Sequence, residues 1–227
     1  MKFTALLLCA AIMLASCGTM SNTAKGGIIG GGSGAAAGAI IGGLIGKGKG
    51  AAIGAAIGAG VGTGAGVIIG KKMDKKAAEA AAIANAQVES VTDANGLQAV
   101  KVTFDSGILF ATNKAELNSS AKASLKEFAD VLKNYTDADV AIVGHTDNTG
   151  SDAINNPLSL KRAQSVESYL KSCGVTADQI TSVDGKGSKE PVADNGTAAG
   201  RTQNRRVEVF MYASQEMIDA ANAGTLK

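Results

Sequence analysis

The sequence predicts an α/β (α+β) sandwich in its C-terminal half: a mixed sheet with helices on one side. Two segments carry apolar residues at helical spacing. They are Leu117, Ala121, Leu125, Phe128 and Leu132, and then Leu160, Ala163, Val166 and Leu170. Strand-like runs stand before, between and after them: Val100, Val102 and Phe104 in alternation, then Val140 to Val143, Ile180 to Gly185, and Val207, Val209 and Met211. The run from Val140 is apolar on both faces, as in a central strand covered on each side. The resulting order is βαβαββ, and about 120 residues suffice for one such core.

The elements before this domain are justified by composition. Met1-Lys2 is a short basic start, and Phe3 to Leu14 is an apolar run of signal-peptide length. It ends in Leu14-Ala15-Ser16-Cys17, which resembles a bacterial lipobox. That resemblance implies that residues 1–16 are a lipoprotein signal peptide and that Cys17 carries the acyl chains, palmitate among them. Gly18 stands where lipoproteins retained at the inner membrane usually have aspartate, so the implied address is the outer membrane. The acylated Cys17 would then hold membrane lipid, with the soluble domain in the periplasm. Residues 17–25 read as a lipidated linker.

From Gly26 to Gly70 a glycine recurs at every fourth position, separated mostly by Ala, Ile and Val. This period places small side chains on one slowly drifting helical face, the packing that lets helices approach closely within membranes. Lys47-Gly48-Lys49 interrupts the run and Lys71-Lys72 closes it. Each arm, if helical, is about 30 Å long. Residues 26–72 thus predict a helical hairpin with a basic tip, and they resemble glycine-zipper segments of outer-membrane lipoproteins. Glycine costs about 1 kcal/mol per helix position in water, which favours a flexible linker instead. A linker has no use for Ile28-Ile29, Ile40-Ile41 or Ile68-Ile69. Membrane insertion or self-association is therefore the expectation for this segment.

The change in composition places a boundary near Lys71-Lys72, with residues 73–90 as an alanine-rich spacer helix. Residues 91–213 form the soluble domain. Its first strand follows a turn at Asn95-Gly96, with Val91 on a partner strand. The first helix starts at Leu117 to Ser120, and the second runs from Leu158 to about Ser172, with Gly174 as its stop. Lys189 to Asn204 reads as a polar loop and residues 214–227 as a tail with a loose helix.

Several function classes are disfavoured. The net charge is +2 over 227 residues, so nothing indicates nucleic acid. The cysteines Cys9, Cys17 and Cys173 form no disulfide framework, and Cys173 reads as a small hydrophobe on a helix. His145 is the single histidine and has no motif-placed nucleophile beside it, so it reads as a brace for its loop. No metal-ligand cluster and no phosphate loop occurs, so neither cofactor nor metal is expected. Asp152 lies near Asp147 without a recognisable motif, so paired-acid glycoside cleavage is not expected. The chain reads as a non-enzyme.

The candidate site begins with Asp147, in the polar loop after the strand at Val140. Arg162 follows in the opening turns of the next helix. A carboxylate facing a guanidinium can grip a ligand carrying both charges; the alternative is a structural ion pair between the two. Six motifs surround them in order: Phe110-Ala111-Thr112-Asn113, Gly144-His145-Thr146-Asp147, Asn155, Leu158-Ser159, Arg162-Ala163 and Asn204-Arg205-Arg206. Together they resemble the OmpA C-terminal-like domains over roughly residues 97–213. The resemblance implies non-covalent binding of peptidoglycan through the diaminopimelate of its stem peptide. Asp147 would accept the ammonium and Arg162 would clamp the carboxylate. Asn113, Asn155 and Thr149 would supply hydrogen bonds, Leu158 an apolar wall, and Arg205 would close the site. The helix start near Leu158 would add free N–H groups. Thr112, where relatives often carry aspartate, departs from the pattern, and Lys161 receives no role. The implied function is to tether outer membrane to cell wall. The alternative is a glycine-zipper oligomer or pore that the wall-binding domain positions.

Overall fold

The structure, a computed structural model, describes residues 64–92, 98–111 and 113–226, all within the unit Gly32–Lys227. The leader, Cys17, the glycine repeat up to residue 63, the Asn95-Gly96 turn and Thr112 lie outside the described residues. In chain order the elements are α1 (Gly64–Ala81), β1 (Ala86–Thr92), β2 (Gln98–Asp105), α2 (Ser106–Leu109), α3 (Ser119–Lys133), β3 (Ala138–Gly144), α4 (Asp152–Ser172), β4 (Ile180–Gly185), α5 (Ala198–Asn204), β5 (Arg206–Ala213) and α6 (Gln215–Asn222).

The strands form one sheet in the order β1-β2-β5-β3-β4. Only β3 and β4 are parallel, because α4 carries the chain back between them. The other neighbours are antiparallel. Val209 of β5 stands opposite Val102 of β2 and Ile142 of β3, so the three strands present one apolar row. Beneath that row Phe104 meets Phe128 of α3 edge to face, with ring centroids 5.7 Å apart. The mixed sheet, with α1 and α4 packed beside α3, is the predicted class of fold.

Helix α3 follows its sequence closely. Ala121, Leu125, Phe128 and Leu132 are all buried. It starts at Ser119 because the Asn118 side chain accepts the Ala121 N–H at 2.8 Å, the preferred N-cap arrangement. Leu117 lies outside the helix and bridges to Phe110.

The N-terminal edge of the domain differs from expectation. The helix α1 runs unbroken through Lys71-Lys72. Ile69, Met73, Lys76, Ala80 and Ile83 are buried, most at spacings of three and four, so this stripe joins the core. Asp137, just before β3, takes Lys72 at 2.5 Å and Lys76 at 3.3 Å. The buried Lys76 ammonium also lies over the Tyr135 ring, and the Tyr135 hydroxyl donates to Glu79 at 2.6 Å. Lys72 and Lys76 therefore anchor the helix on Asp137. The helix ends at Ala81, well before the expected residue 90. The chain turns through Asn85 at φ 64°, a left-handed position that asparagine tolerates. Residues from Ala86 then pair with β2, because edge pairing outweighs the helical preference of an alanine-rich run.

One further element appears where the sequence suggested irregular chain, and the helix expected in the tail is present. The predicted loop from Lys189 to Asn204 contains α5, capped by Thr197, whose hydroxyl accepts from Gly200 N at 3.0 Å. The tail forms α6, which buries Met217, Ile218 and Ala221 and packs on α1. No described helix is long and apolar enough to cross a membrane.

Candidate functional site

The site depends on how closely α4 lies on the sheet. β3 ends at Gly144 and β4 at Gly185, against Ser159 and Leu160 of α4. A Cβ at Gly144 would stand 2.1 Å from the Ser159 carbonyl oxygen, and one at Gly185 would stand 2.3 Å from Leu160 N. Only glycine permits this approach. The buried face of α4 is polar in its first half, with Asn155, Ser159 and Arg162, and apolar in its second, with Ala163, Val166 and Leu170. The helix therefore delivers an arginine to the end of the sheet while its far half seals the core.

This helix starts at Asp152, six residues before the expected Leu158. Pro157 stands inside the helix, where it leaves the Ala153 carbonyl without its helical partner. Both residues are exposed, so water can satisfy that group. Leu158 thus lies within the helix, and the free N–H groups expected there are not at its position. Its side chain is half-buried.

The loop after β3 is tied down residue by residue. His145 N donates to Arg206 O at 2.9 Å and Thr146 N to Gly187 O at 2.8 Å. Gly187 N donates to the Ser159 hydroxyl at 2.9 Å. The Asp147 carboxylate accepts from Thr149 N at 2.8 Å, a local turn of the kind aspartate favours. The buried Asn155 amide donates to the carbonyls of Asp147 at 3.4 Å and Thr149 at 3.1 Å. Asn155 and Thr149 thus shape the loop that carries Asp147, and Thr149 itself is exposed.

The charges are arranged differently from a simple Asp147–Arg162 pair. Asp147 bonds Arg205 Nη1 at 2.5 Å, and Arg205 is steadied by Thr202 at 2.9 Å. Burial alone would raise the Asp147 pKa. The Arg205 and Thr149 bonds outweigh it, so the carboxyl is held below its ordinary value and stays ionised. Arg162 is 4% exposed. Its Nε donates to the Lys114 carbonyl at 3.1 Å, and its guanidinium lies over the Phe110 ring. Among the described residues no protein acceptor takes its terminal amino groups. Burial, then the nearby Arg205 charge, lowers its pKa, and Asp147 opposes them. A guanidinium remains charged at neutral pH regardless. Asn113 is exposed at φ 57°. Its left-handed backbone reverses the chain, and Lys114 N meets Ala111 O at 3.0 Å. This turn is what brings the Lys114 carbonyl to Arg162.

A buried layer below the loop escaped the sequence reading. Arg206 Nε donates to Glu208 Oε1 at 2.8 Å. His145 Nε2 lies 3.3 Å from Glu208 Oε2 without hydrogen-bond alignment. All three residues are buried. The one signal in the sequence was a glutamate inside the otherwise apolar run Val207 to Met211. Asn204, also buried, accepts from Val192 N at 2.8 Å and Ala193 N at 3.0 Å and donates to Ala193 O at 2.8 Å. It pins the loop that leads to Arg205. The motif Asn204-Arg205-Arg206 therefore splits: the outer arginine meets Asp147 and the two flanking residues are structural.

Burial would raise the Glu208 pKa, but His145 and Arg206 overcome it and hold it at about 2, against 4.5 ordinarily. A depressed carboxyl stabilises the fold above its unfolded pKa, and that contribution is lost as pH falls through the folded value. Stability is therefore expected to drop on the order of 3 kcal/mol between pH 4.5 and about 2 from this group. Urea titrations across that range, compared with Glu208→Gln, test it. An equally steep loss in the variant refutes the assignment.

Among the described residues no His, Cys, Asp and Glu side chains gather into a metal-binding group. The OmpA family matches residues 109–205, and a YMGG-like Gly-zipper matches residues 1–74. The peptidoglycan-binding protein ArfA of Mycobacterium tuberculosis is 47% identical over 104 residues, which is 46% of this chain and 32% of ArfA. The outer-membrane lipoprotein YfiB of Pseudomonas aeruginosa is 40% identical over 108 residues, covering 48% of this chain and 64% of YfiB. The chain thus spans 32% and 64% of the length of these two relatives. The solved type VI secretion system cell wall anchor of Pseudomonas aeruginosa is 31% identical, with a TM-score of 0.52 over 63% of this chain and 97% of that one.

Proposed function

Because this chain belongs to the OmpA family, we propose that it binds peptidoglycan non-covalently and acts as a wall-binding module rather than an enzyme. The observation that carries this reading is the pair of arginines around one carboxylate. Arg162 and Arg205 contribute two positive charges against the single negative charge of Asp147. A ligand carboxylate would complete the balance at Arg162, whose planar fork suits bidentate contact. A ligand ammonium would find an ionised acceptor in Asp147. Both groups on one carbon describe the free end of diaminopimelate, so we assign the site to that part of the stem peptide. In this reading Asn155 and Thr149 preorganise the loop, Asn113 turns the rim, Leu158 offers apolar surface and Arg205 adjusts as the ligand enters.

The relatives' names, a peptidoglycan-binding protein and an outer-membrane lipoprotein, support the placement. We accordingly assign Cys17 as the lipid attachment and the outer membrane, with the domain facing the periplasm, as the location. The Gly-zipper match over residues 1–74 supports self-association by that segment.

Co-sedimentation of the full-length chain with purified sacculi tests the site. Asp147→Ala and Arg162→Ala are each expected to weaken binding by at least about 2 kcal/mol, roughly thirtyfold in Kd. Retention of wild-type binding by both variants would overturn the site assignment.

A further inference from the structure

We propose that an open groove beside this site binds carbohydrate, namely the glycan strand of the same polymer. The inference rests on the peptidoglycan reading and extends it to a second subsite. The groove has a volume of about 670 Å³ and lies between α4 and the segment leading into α3. Lys161, Gln164, Ser165, Ser168, Tyr169 and Ser172 of α4 line one wall. They recur at helical spacing and form one stripe about 16 Å long. Ala115 and Leu117 face them and supply apolar floor.

The chemistry of this lining suits sugar hydroxyls. Ser165 donates its hydroxyl to the Lys161 carbonyl at 3.0 Å, and Ser172 donates to the Tyr169 carbonyl at 2.7 Å. Both hydroxyl oxygens therefore keep lone pairs for ligand O–H groups. Gln164 and Ser168 are exposed and can both donate and accept. Tyr169 is half-buried and lines the groove, so its ring offers an apolar surface for a sugar face. The charged residues Lys122, Lys161 and Glu116 are all exposed and sum to one positive charge, so they do not repel the muramyl carboxylates that an amidase leaves on a stripped strand.

Continuity with the first site comes from the backbone. Lys161 immediately precedes Arg162, and Ala115 immediately follows Lys114, whose carbonyl holds Arg162. The groove thus begins where the charged site ends. A ligand that carries peptide and sugar on one covalent framework can occupy both.

Two probes separate the subsites: glycan strands stripped of stem peptide by an amidase, and free stem peptide ending in diaminopimelate. Binding of each to the full-length chain is measured by calorimetry. The double variant Gln164→Ala/Ser168→Ala, both exposed, is expected to lose about fivefold or more in affinity for stripped strands and to bind free peptide normally. Tyr169→Phe should retain strand binding, because the ring supplies the contact, and Tyr169→Ala should lose it. Asp147→Ala should show the opposite selectivity, losing peptide and keeping strands. The proposal is overturned if stripped strands do not bind the wild type, or if the double variant binds them as wild type does. Loss of strand binding with no peptide binding by wild type at all would overturn the diaminopimelate assignment and leave the groove standing.

Discussion

Arg206→Ala is expected to destabilise the protein by about 3–5 kcal/mol, because it strands a buried carboxylate. Glu208 is 2% exposed, and the Arg206 Nε bond at 2.8 Å is its aligned hydrogen bond. His145 approaches the other oxygen without alignment. Arg206 also donates to the carbonyls of Asn204 at 3.3 Å and Glu190 at 3.2 Å, so its loss frees the loop before β5 as well. Thermal unfolding should fall by roughly 10 °C for a chain of this size. The paired replacement Arg206→Met with Glu208→Leu is expected to recover most of that loss, since removing both charges leaves no unpaired ion. A single variant as stable as wild type would show that Glu208 finds solvent or another partner. Arg162→Ala makes the contrast. Its Nε bond goes to a carbonyl at the rim, so its main effect should be on ligand affinity.

Gly144→Ala is the second large expectation, and it couples stability to binding. The added methyl would meet the Ser159 carbonyl oxygen at 2.1 Å, and its neighbours within van der Waals range are backbone atoms of α4. A flexible side chain could swing aside, but a helix backbone can only shift as a unit. The cost should reach about 3 kcal/mol or more, the upper end for overpacking. Relief by lifting α4 would carry Arg162 away from Asp147 and Arg205. Calorimetric unfolding and sacculus co-sedimentation should therefore both deteriorate. Unchanged binding in a destabilised variant would show that the helix absorbs the methyl without moving Arg162.

Much of the frame was legible because it follows from periodicity. Leu125, Phe128 and Leu132 announce the buried face of α3, and Val140 to Val143 announce a covered central strand. Those signals are local, so the sequence alone states them. The ends of elements were less legible. Thr197 and Asn118 cap helices through hydrogen bonds that depend on where the chain turns. The second main helix starts at Asp152 rather than Leu158, because Pro157 in an exposed early turn costs only a bond that water replaces.

The site divides in the same way. Its residue types were readable, since a carboxylate, two arginines and two amides recur in a recognisable order. Their pairing was not. The sequence set Asp147 against Arg162, while the folded chain bonds Asp147 to Arg205, 58 positions away, and sets Arg162 against a carbonyl and an aromatic ring. Likewise nothing in the sequence marked Lys76 as a buried partner of Asp137, 61 positions away. By itself the sequence determined the fold class, the two main amphipathic helices and the chemical inventory of the site, because these need only local spacing. The tertiary structure decided which charge meets which, where α1 and β1 attach, and that β5 carries a buried Arg206–Glu208 pair. Those outcomes depend on contacts between residues far apart in the chain, and burial magnifies each of them by removing the water that would otherwise make the choice indifferent.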